Sequence, residues 1–388
     1  MKAIVILPTY NEKDNIARMI HLLEDEVFPK IKDWDMGLLI ADDNSPDGTA
    51  AIVRDIMKKY KNLDINQGKK TGLGAAYVRG MQYAIDKMHA DVVFEMDADG
   101  QHDAKKIPDF LKKIDAGYDF VIGTRYSDGG SIPKEWGFYR TFLSVAGNQF
   151  IRLVLMRPNI HDWTGGYRAI KKEVFVKEKE KLKEFTGYNF QVGSLLSALH
   201  DGFTVAEVPF HFGERTEGTS KIQSGSTIVK TLSFVVTARI KELIFGSFGK
   251  FLVVGGIGFV INFVVLWFLH TVSHMDPFWA NLIGAGLAIF SNYNFNNIWT
   301  FAQHKISGVG QYLWKMVQFY ATSAFGVIFI QSGTIYVGDL IVKPDVILHI
   351  GPLGIRFYIL WFLLGTFLIL IWNYFIYSKF IWKKSPHK

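Results

Sequence analysis

Two carboxylates separated by one residue follow a short apolar segment of the chain. The segment Val92–Met96 reads VVFEM, and Asp97 and Asp99 come directly after it, with Gln101 two positions further on. Carboxylate oxygens are hard ligands, of the kind that Mg²⁺ or Mn²⁺ combines with diphosphate oxygens. The chain contains no cysteine and no paired histidine spacing, which disfavours a site for a softer metal. We therefore predict a hard divalent cation at this segment.

Acidic residues follow two other apolar segments as well. The first segment ends in PTYNE, Pro8–Glu12, and the second runs into DDNSPDGT, where Asp42 and Asp43 come first. Asp47 can cap the helix that follows, so the two earlier acids are not needed for capping. A carboxylate at the end of a strand can accept hydrogen bonds from a ribose or a base. The two acids after the second segment therefore suit a nucleotide. Glu12, taken alone, is also typical of an acid in the first turn of a helix, where the helix dipole favours it.

Two further segments carry residues that suit phosphate, and each leaves an alternative open. GKKTGLGAAYVRG, Gly68–Gly80, fits neither GxxxxGK[ST] nor GxGxxG, because Tyr77 takes the third glycine position of the latter. It is either a nucleotide-contacting start of a helix or a structural turn. The glycine-containing loop Pro209–Lys221 carries Arg215 and Lys221, whose cationic groups suit phosphate. A solvated charged loop is the alternative there.

These residues need a scaffold, and the first part of the chain alternates short apolar segments with helical patterns. Strands separated by helices predict an α/β fold, with a mostly parallel sheet covered on both faces. Ligands of such sheets bind outside the carboxyl ends of the strands, where the acidic residues lie. The predicted strands are Ala3–Leu7, Gly37–Ala41, Leu63–Ile65, Val92–Met96 and Phe120–Ile122; the predicted helices are Asn15–Leu23, Thr49–Tyr60, Leu73–Lys87 and Lys105–Ala116.

The charges divide the chain into two parts. Residues 1–246 carry 34 basic and 33 acidic side chains, whereas the 142 residues from Ser247 onward carry 9 and 3. The second part contains four segments without Asp, Glu, Lys or Arg, each long enough to cross a hydrocarbon core of about 30 Å. The basic excess lies between these segments and not on a cationic face, so nucleic acid is not an expected partner. The four predicted transmembrane helices are Phe251–Val272, Pro277–Phe301, Met316–Gly338 and Phe357–Ser378.

The lysines of the short connecting loops predict the orientation in the membrane. Most of them fall on the side that also holds the N-terminal part and the C-terminus, which places both in the cytoplasm. Ser226–Gly246 has the pattern of a basic amphipathic helix and is predicted to lie in the membrane interface. Trp136–Met156 shows a similar mixture, and either a core helix or an interface helix accounts for it. The predicted domains are 1–225, 226–246 and 247–388.

Eight motifs occur in the order seen in dolichol-phosphate mannose synthases, which belong to glycosyltransferase family 2 and have a GT-A fold. The resemblance covers about Met1–Gly225, and the transmembrane part is similar to the GtrA-like family of four-span domains through Asn292–Phe301, NYNFNNIWTF. The eight motifs are PTYNE, DDNSPDGT, KKTGLGAAYVRG, MDADGQH, GTRY, DWTGGYRA, GYNFQ and VPFHFGERTEGTSK.

The resemblance implies roles for three groups of residues. One group contacts the nucleoside and ribose, one holds the divalent cation and the donor diphosphate, and one binds phosphate groups of donor and acceptor. In that order the groups are Pro8, Tyr10, Glu12 and Asp42; Asp97, Ala98, Asp99 and Gln101; and Arg125, Arg140, Ser144, Arg215 and Lys221. The direct catalytic contributions are expected from Asp99, Arg125, Arg215 and Lys221.

Two positions depart from the family patterns. Gly100 stands where leucine is usual, and a looser loop is expected there. Asn297 stands where the GtrA-like motif usually has arginine, which puts the role of the transmembrane part in doubt.

The activity implied by the resemblance is an inverting, Mg²⁺- or Mn²⁺-dependent transfer of mannose from GDP-mannose to dolichyl or another polyprenyl phosphate at the cytosolic membrane face. Two alternatives stay open at this point. One is a polyprenyl-phosphate glucosyltransferase that uses UDP-glucose, and the other is a lipid carrier or flippase whose N-terminal part senses a nucleotide. A processive polysaccharide synthase is disfavoured, because Gln149–Arg152 is followed by Leu153 and not by the tryptophan of QxxRW.

Overall fold

The computed structural model describes residues 1–185, 187–214, 225–342, 347–350 and 353–382. The chain forms two compact units, Met1–Arg239 and Ile240–Lys388, which we call the N-terminal and C-terminal units. The division falls inside the segment 226–246 that the sequence predicts as an interface helix. The predicted domain boundaries therefore stay a prediction.

The N-terminal unit contains a seven-stranded sheet in the order β3-β2-β1-β4-β6-β5-β7. Strand β6 runs antiparallel to its neighbours β4 and β5, and the other neighbouring strands are parallel. The predicted α/β fold with a mostly parallel sheet is confirmed. The strands are β1 Lys2–Thr9, β2 Asp35–Asp42, β3 Leu63–Gln67, β4 Val92–Glu95, β5 Phe120–Thr124, β6 Arg168–Lys171 and β7 Val205–Pro209.

Helices cover both faces of this sheet. The predicted helices are present with shifted ends; Thr49–Tyr60, for example, is helical over Thr49–Ile56. The helices of this part are α1 Lys13–His21, α2 Thr49–Ile56, α3 Leu73–Asp86, α4 Ile107–Asp115, α5 Phe138–Val154, α6 Lys172–Leu182, α7 Tyr188–His200 and α8 Gly225–Phe245.

The alternation of side chains along β1 explains the two cores of the unit. Successive residues of a strand point to opposite faces, so Val5 joins the core beneath α1 and α4, while Ile6 joins the core beneath α3 and α7. Both side chains are fully buried. Because both faces are covered, the strand is apolar without interruption, and polar groups are placed at its carboxyl end.

Helix α5 exposes apolar residues on one side and is anchored on the other. Phe138, Phe142 and Leu153 are exposed, whereas Asn148 and Ile151 are buried against the rest of the unit. Large exposed apolar side chains on one helix face are typical of a surface that meets a membrane or a partner.

Most of the described residues of the C-terminal unit are helical, and two short strands among them pair antiparallel. Helices α11 and α12 are joined through a π-helical turn, Gly326–Gln331, and a second π-helical turn, Asn296–Thr300, follows α10. The elements are α9 Ser247–Thr271, α10 Pro277–Phe295, α11 Val309–Phe325, α12 Ser332–Ile341, β8 Ile347–Ile350, β9 Leu353–Arg356 and α13 Phe357–Ile376.

Three helical segments of the described residues are long and apolar enough to cross a membrane. They are Ile228–Thr271, Val309–Ile341 and Leu360–Ile381. The chain is therefore a membrane protein. The second predicted span corresponds to α10, which is not one of these three segments, so the number of four spans stays a prediction.

Asn297, which departs from the family motif, has a clear structural place. Its side chain is buried; Nδ2 donates to the carbonyl oxygen of Ile306 (3.2 Å), and Oδ1 accepts from the Ile306 amide (2.9 Å) and from Trp382 Nε1 (2.9 Å). The Asn297 side chain thus joins the turn after α10 to the segment before α11 and to Trp382. The asparagine side chain carries one donor group and one acceptor oxygen, and these make all three contacts.

Candidate functional site

The two carboxylates predicted to bind a cation lie in the loop that follows β4. The Asp99 side chain is buried, and its Oδ1 accepts a hydrogen bond from the Gln101 amide (3.1 Å). Gln101 Nε2 donates to the carbonyl oxygen of Gly213 (3.1 Å), and the Gly213 amide donates to the Gln101 carbonyl oxygen (2.8 Å). The loop therefore has a defined shape, and it is joined to the segment that leads to residue 215.

Gly100 is part of the reason for this shape. Its φ of +81° lies in the left-handed region that favours glycine, and a Cβ there would come within 2.8 Å of Arg18 Nη2. We expected Gly100 to loosen this loop. The geometry indicates the opposite, because glycine fits the conformation that the loop adopts.

Asp97 is held by a buried tyrosine. The Asp97 side chain is 37% exposed, and its Oδ1 accepts a hydrogen bond from the Tyr77 hydroxyl (3.2 Å). Burial and the neighbouring carboxylates raise the pKa of Tyr77 well above its usual value, so this hydroxyl stays protonated and donates. The Asp97 amide donates to Nδ1 of His102, whose pKa is lowered by burial against the opposing effect of Asp97 and Asp99.

The donor set of this loop fits a hard divalent cation. It offers two carboxylates and the amide oxygen of Gln101, and Gln101 Nε2 is already used by Gly213. No group of three His, Asp or Glu side chains suited to a metal occurs among the residues that the structure describes. A cation at this loop would complete its coordination with diphosphate oxygens and water, as Mg²⁺ commonly does.

Asp42, predicted to contact the ribose, lies fully buried at the end of β2. Its Oδ1 accepts hydrogen bonds from the hydroxyls of Thr9 (3.0 Å) and Ser45 (2.6 Å), and Oδ2 accepts from the Ser45 amide (3.0 Å) and Gln67 Nε2 (3.2 Å). The side chain therefore joins the ends of β1, β2 and β3. Asp43 lies beside it and pairs with Arg79 at 2.9 Å.

The PTYNE segment forms the start of the crevice after β1. Pro8 pairs with Ala41 of β2 in the sheet register, and Lys70 Nζ lies 3.3 Å from the ring centre of Tyr10. Glu12 precedes α1; its amide donates to Thr49 Oγ1 (3.1 Å). Cation–π contact between Lys70 and Tyr10 brings the GKKTG segment to the same crevice.

Arg125, predicted to bind phosphate, is held by Asp162. Arg125 Nε donates to Oδ2 at 2.7 Å, and Nη2 donates to Oδ1 at 2.8 Å, while the Arg125 amide also donates to Oδ2 (3.1 Å). Nη2 donates in addition to Thr164 Oγ1 (3.0 Å). Burial alone would raise the pKa of Asp162, but the charge and hydrogen bonds of Arg125 bring it below its usual value. The guanidinium of Arg125 is therefore fixed in one orientation.

Two further predicted phosphate ligands lie one turn apart on α5. Ser144 Oγ is 2.6 Å from the Tyr126 hydroxyl, and Tyr126 is the neighbour of Arg125. The Arg140 guanidinium lies over the Trp136 ring, 3.9 Å from its centre. The structure thus brings Ser144 close to the GTRY segment. Arg215 and Lys221 lie outside the described residues.

Two residues of this site were not assigned a role from the sequence. Tyr77 entered only as a mismatch to a glycine pattern, and Asp162 only as a letter of the DWTGGYRA motif. Each role depends on a partner distant in the chain: Asp97 for Tyr77 and Arg125 for Asp162. The fixed spacing of DWTGG, an acid before a tight turn, is the feature that could have indicated Asp162.

A cavity of about 680 Å³ lies elsewhere in the N-terminal unit. It runs along α3 between Thr71 and Lys87 and is closed on the other side by Lys179, Leu182 and Phe185. Part of the Gly68–Gly80 segment lines it, whereas none of the described residues assigned to the nucleoside, the cation or the phosphate groups does. The acidic and basic groups described above are therefore the better candidate for chemistry.

Comparisons with known proteins agree with this arrangement. A model of glycosyl transferase family 2 matches residues 4–177, and a model of the GtrA/DPMS transmembrane domain matches residues 250–382. Glucosyl-3-phosphoglycerate synthase from Mycobacterium tuberculosis is a solved structure that is 18% identical, with a TM-score of 0.41, covering 62% of this chain and 79% of that one. That likeness is too distant to bear on the substrate.

Two relatives are much nearer in sequence. Polyprenol monophosphomannose synthase from Mycolicibacterium smegmatis is 37% identical over 229 residues, which covers 58% of this chain and 83% of that protein. Dolichol-phosphate mannosyltransferase from Pyrococcus furiosus is 33% identical over 306 residues, which covers 78% of this chain and 81% of that protein. With its family 2 domain and its GtrA/DPMS transmembrane domain, the chain belongs to the polyprenyl-phosphate mannose synthases of glycosyl transferase family 2.

Proposed function

We propose that this protein transfers mannose from GDP-mannose to a polyprenyl phosphate such as dolichyl phosphate, giving polyprenyl-phosphate mannose and GDP. The observation that carries the proposal is the pairing of an oxygen-rich loop after β4 with a fixed arginine after β5, in a chain that enters a membrane. The loop suits a sugar nucleotide diphosphate, and Arg125 suits a second phosphate group. The names of the two nearer relatives support mannose as the sugar.

The chemistry is a single displacement with inversion at the sugar carbon. An oxygen of the acceptor phosphate forms the new bond to C1 of mannose while the bond from C1 to the β-phosphate oxygen of GDP breaks. The acceptor oxygen is already anionic, so little help from a general base is needed. Arg125 would hold the acceptor phosphate in line with C1, because its orientation is set by Asp162.

The remaining phosphate ligands complete the proposed site. Arg140 and Ser144 would bind the acceptor phosphate together with Arg125, and Arg215 and Lys221 would serve both phosphate-bearing substrates. Cationic and hydroxyl groups in this number reduce the repulsion between two anions that must approach each other.

A divalent cation, Mg²⁺ or Mn²⁺, is part of the proposal. Asp97, Asp99 and Gln101 would hold it with the donor diphosphate. When bound, such an ion stabilises the negative charge that develops on a leaving diphosphate. Tyr77 keeps one oxygen of Asp97 in place, and the Gln101 amide does the same for Asp99.

We place the N-terminal unit and the C-terminus on the cytoplasmic side, following the lysines of the short loops. We also propose that 226–246 lies along the membrane interface between a catalytic domain, 1–225, and a transmembrane domain, 247–388. The exposed apolar face of α5 suits the same surface, because it carries Phe138 and Phe142 on the helix that also holds Arg140 and Ser144. A lipid phosphate at the membrane surface would then be within reach of the site.

The test is a matrix of donors and acceptors with the purified full chain in detergent or vesicles. GDP-mannose and UDP-glucose are each combined with dolichyl phosphate and with a bacterial polyprenyl phosphate. We expect mannose transfer from GDP-mannose, dependent on Mg²⁺ or Mn²⁺. Robust glucose transfer without mannose transfer would refute GDP-mannose as the donor. Movement of lipid without any sugar transfer would favour a carrier or flippase.

A further inference from the structure

The turn that contacts Arg125 is itself fixed by contacts with other residues. Trp163–Gly165 follows Asp162 directly, and it supplies the Thr164 hydroxyl that accepts from Arg125 Nη2. The Gly165 amide donates to Asp162 Oδ1 (3.0 Å), so the conformation of the turn also determines where the carboxylate points. Any residue that fixes this turn therefore acts on Arg125.

Arg168 is such a residue. It is fully buried in β6, and its guanidinium uses three nitrogens on three partners. Nε donates to the carbonyl oxygen of Gly165 (2.9 Å), Nη2 to the carbonyl oxygen of Trp163 (3.4 Å), and Nη1 to Ser194 Oγ of α7 (2.8 Å). Two of these bonds fasten both ends of the turn.

A buried guanidinium needs an opposite charge nearby. Glu95 of β4 is the direct cross-strand partner of Arg168 in the antiparallel register, and its Oε2 lies 3.8 Å from Arg168 Nε. Both side chains are fully buried. The carboxyl of Glu95 lies where it opposes the guanidinium charge, although burial raises its pKa to about 7. The hydrogen bonds of Arg168 go to the turn and to Ser194.

We propose that Arg168 is a positioning residue for Arg125: it fastens the Trp163–Gly165 turn, and the turn orients Asp162 and Thr164 around the Arg125 guanidinium. The consequence for catalysis rests on the proposed function, in which Arg125 binds the acceptor phosphate. Arginine is required at this position because its planar fork reaches both carbonyl oxygens at once, whereas the single ammonium of lysine does not.

Other contacts limit how far the turn can move without Arg168. Glu207 Oε1 accepts from the His161 amide (2.7 Å) and from the Asp162 amide (3.3 Å), and Asn148 Oδ1 accepts from the Trp163 amide (2.8 Å). Residues 161–163 thus keep two anchors, and Thr164 Oγ1 also accepts from Asn148 Nδ2 (3.1 Å). The Gly165 end of the turn is therefore the part released. We expect a weakened acceptor site and not a lost one.

The test uses the full chain in detergent with Arg168→Lys, which keeps the charge opposite Glu95. Ser194→Ala is the matched control: it removes the bond from Arg168 to Ser194 and the bond from Ser194 Oγ to the Gln191 carbonyl oxygen, and it leaves both bonds of Arg168 to the turn. Arg168→Lys should raise the KM for polyprenyl phosphate about tenfold, because Arg125 is then held less well in the orientation that binds the acceptor phosphate. The KM for GDP-mannose should stay within about twofold. Ser194→Ala should leave both constants within the same limit.

A double-mutant cycle separates positioning from general damage. In an Arg125→Ala background, Arg168→Lys should not raise the acceptor KM further, because the residue through which it acts is gone. Additive effects, or equal changes for donor and acceptor, would overturn the proposal. If Arg168→Lys does not fold, Glu95→Gln combined with Arg168→Met removes both charges together and enters the same cycle.

A readout without turnover keeps this proposal distinct from the proposed function. Amide hydrogen exchange over residues 162–166 of the full chain should be faster in Arg168→Lys than in the wild type and in Ser194→Ala. If Arg125→Ala leaves the acceptor KM unchanged, the phosphate role of Arg125 fails, and faster exchange would still support fastening of the turn by Arg168. Unchanged exchange in Arg168→Lys would overturn the positioning role.

Discussion

Arg125, in the loop after β5, forms an ion pair with Asp162, in the loop before β6. Two hydrogen bonds join them, from Nε to Oδ2 at 2.7 Å and from Nη2 to Oδ1 at 2.8 Å. Asp162 is fully buried and Arg125 nearly so. The fork geometry leaves the guanidinium little freedom to rotate. In the proposed function, in which Arg125 binds the acceptor phosphate, the guanidinium is thus oriented before the substrate arrives.

Replacing Asp162 by asparagine should destabilise the fold and make its stability less sensitive to acid. Removing one partner of a buried ion pair costs about 3–5 kcal/mol at pH 7. The pKa of Asp162 is lowered in the fold, so its contribution is complete above its unfolded pKa of about 4 and is lost as the pH falls through the lower folded value.

Thermal unfolding of the full chain in detergent between pH 3 and pH 7 measures this difference. The gap between the wild type and Asp162→Asn should narrow below about pH 4. A gap that stays constant over the whole range would contradict the assigned ionisation. Asp128→Asn, at an exposed position, serves as the control.

Asp99→Ala should reduce mannose transfer by about a hundredfold or more, because the proposed site loses a ligand of the cation that would stabilise charge on the leaving diphosphate. The measurement is turnover with GDP-mannose and dolichyl phosphate at saturating Mg²⁺ or Mn²⁺. Asp55→Asn changes an exposed acid of α2 that pairs with Lys58 and should leave turnover unchanged. Wild-type turnover in Asp99→Ala would remove this residue from the site.

Tyr77→Phe should weaken the binding of the divalent cation without unfolding the protein. The variant loses one hydrogen bond to Asp97, and bonds to charged groups contribute about 1.5–3 kcal/mol. We expect the cation concentration for half-maximal turnover to rise by about tenfold.

Tyr83→Phe is a matched control for this variant. Tyr83 lies on the same helix and donates to a carboxylate, Asp64, at 2.8 Å, away from the proposed cation site. Equal cation titrations of Tyr77→Phe and the wild type would show that Asp97 does not need this hydroxyl.

The exposed apolar face of α5 predicts a difference between membrane-bound and soluble acceptors. Replacing Phe138 and Phe142 by serine removes apolar area that would be buried in a bilayer, at about 1.5–3 kcal/mol for each side chain. Transfer to dolichyl phosphate in vesicles should fall by about tenfold or more. Transfer to a short, water-soluble isoprenyl phosphate should not change.

Val176→Ser is the control for this pair, since Val176 is exposed on α6 to the same extent as Phe142. A loss that is equal for both acceptors would assign Phe138 and Phe142 to the site itself and not to membrane contact.

In the C-terminal unit, Asn297→Ala should lower the melting temperature. The variant leaves the amide of Ile306 and Nε1 of Trp382 buried without an acceptor, which costs about 1–3 kcal/mol for each group. Thermal unfolding in detergent, with exposed Gln303→Ala as the control, tests this. A melting temperature equal to that of the wild type would mean that water or lipid replaces these bonds.

The elements of the catalytic half were largely predictable from the sequence. Val92–Met96 and Ala3–Leu7 are recognisable as strands because a parallel strand covered on both faces is apolar without interruption, which is a local property. Asp97 and Asp99 were chosen as candidate cation ligands in the same way, since they come just after such a strand, and their role stays a prediction. The long apolar segments likewise indicate a transmembrane part by their length alone.

Other features depend on contacts between residues far apart, and no local pattern records them. The antiparallel insertion of β6 between β4 and β5 places Arg168 opposite Glu95, and it brings the turn after Asp162 to Arg125. A side chain's partner across a sheet is chosen by strand order and register. The sequence alone therefore determined which groups could do the chemistry, and only the tertiary structure decided which of them hold the others in place.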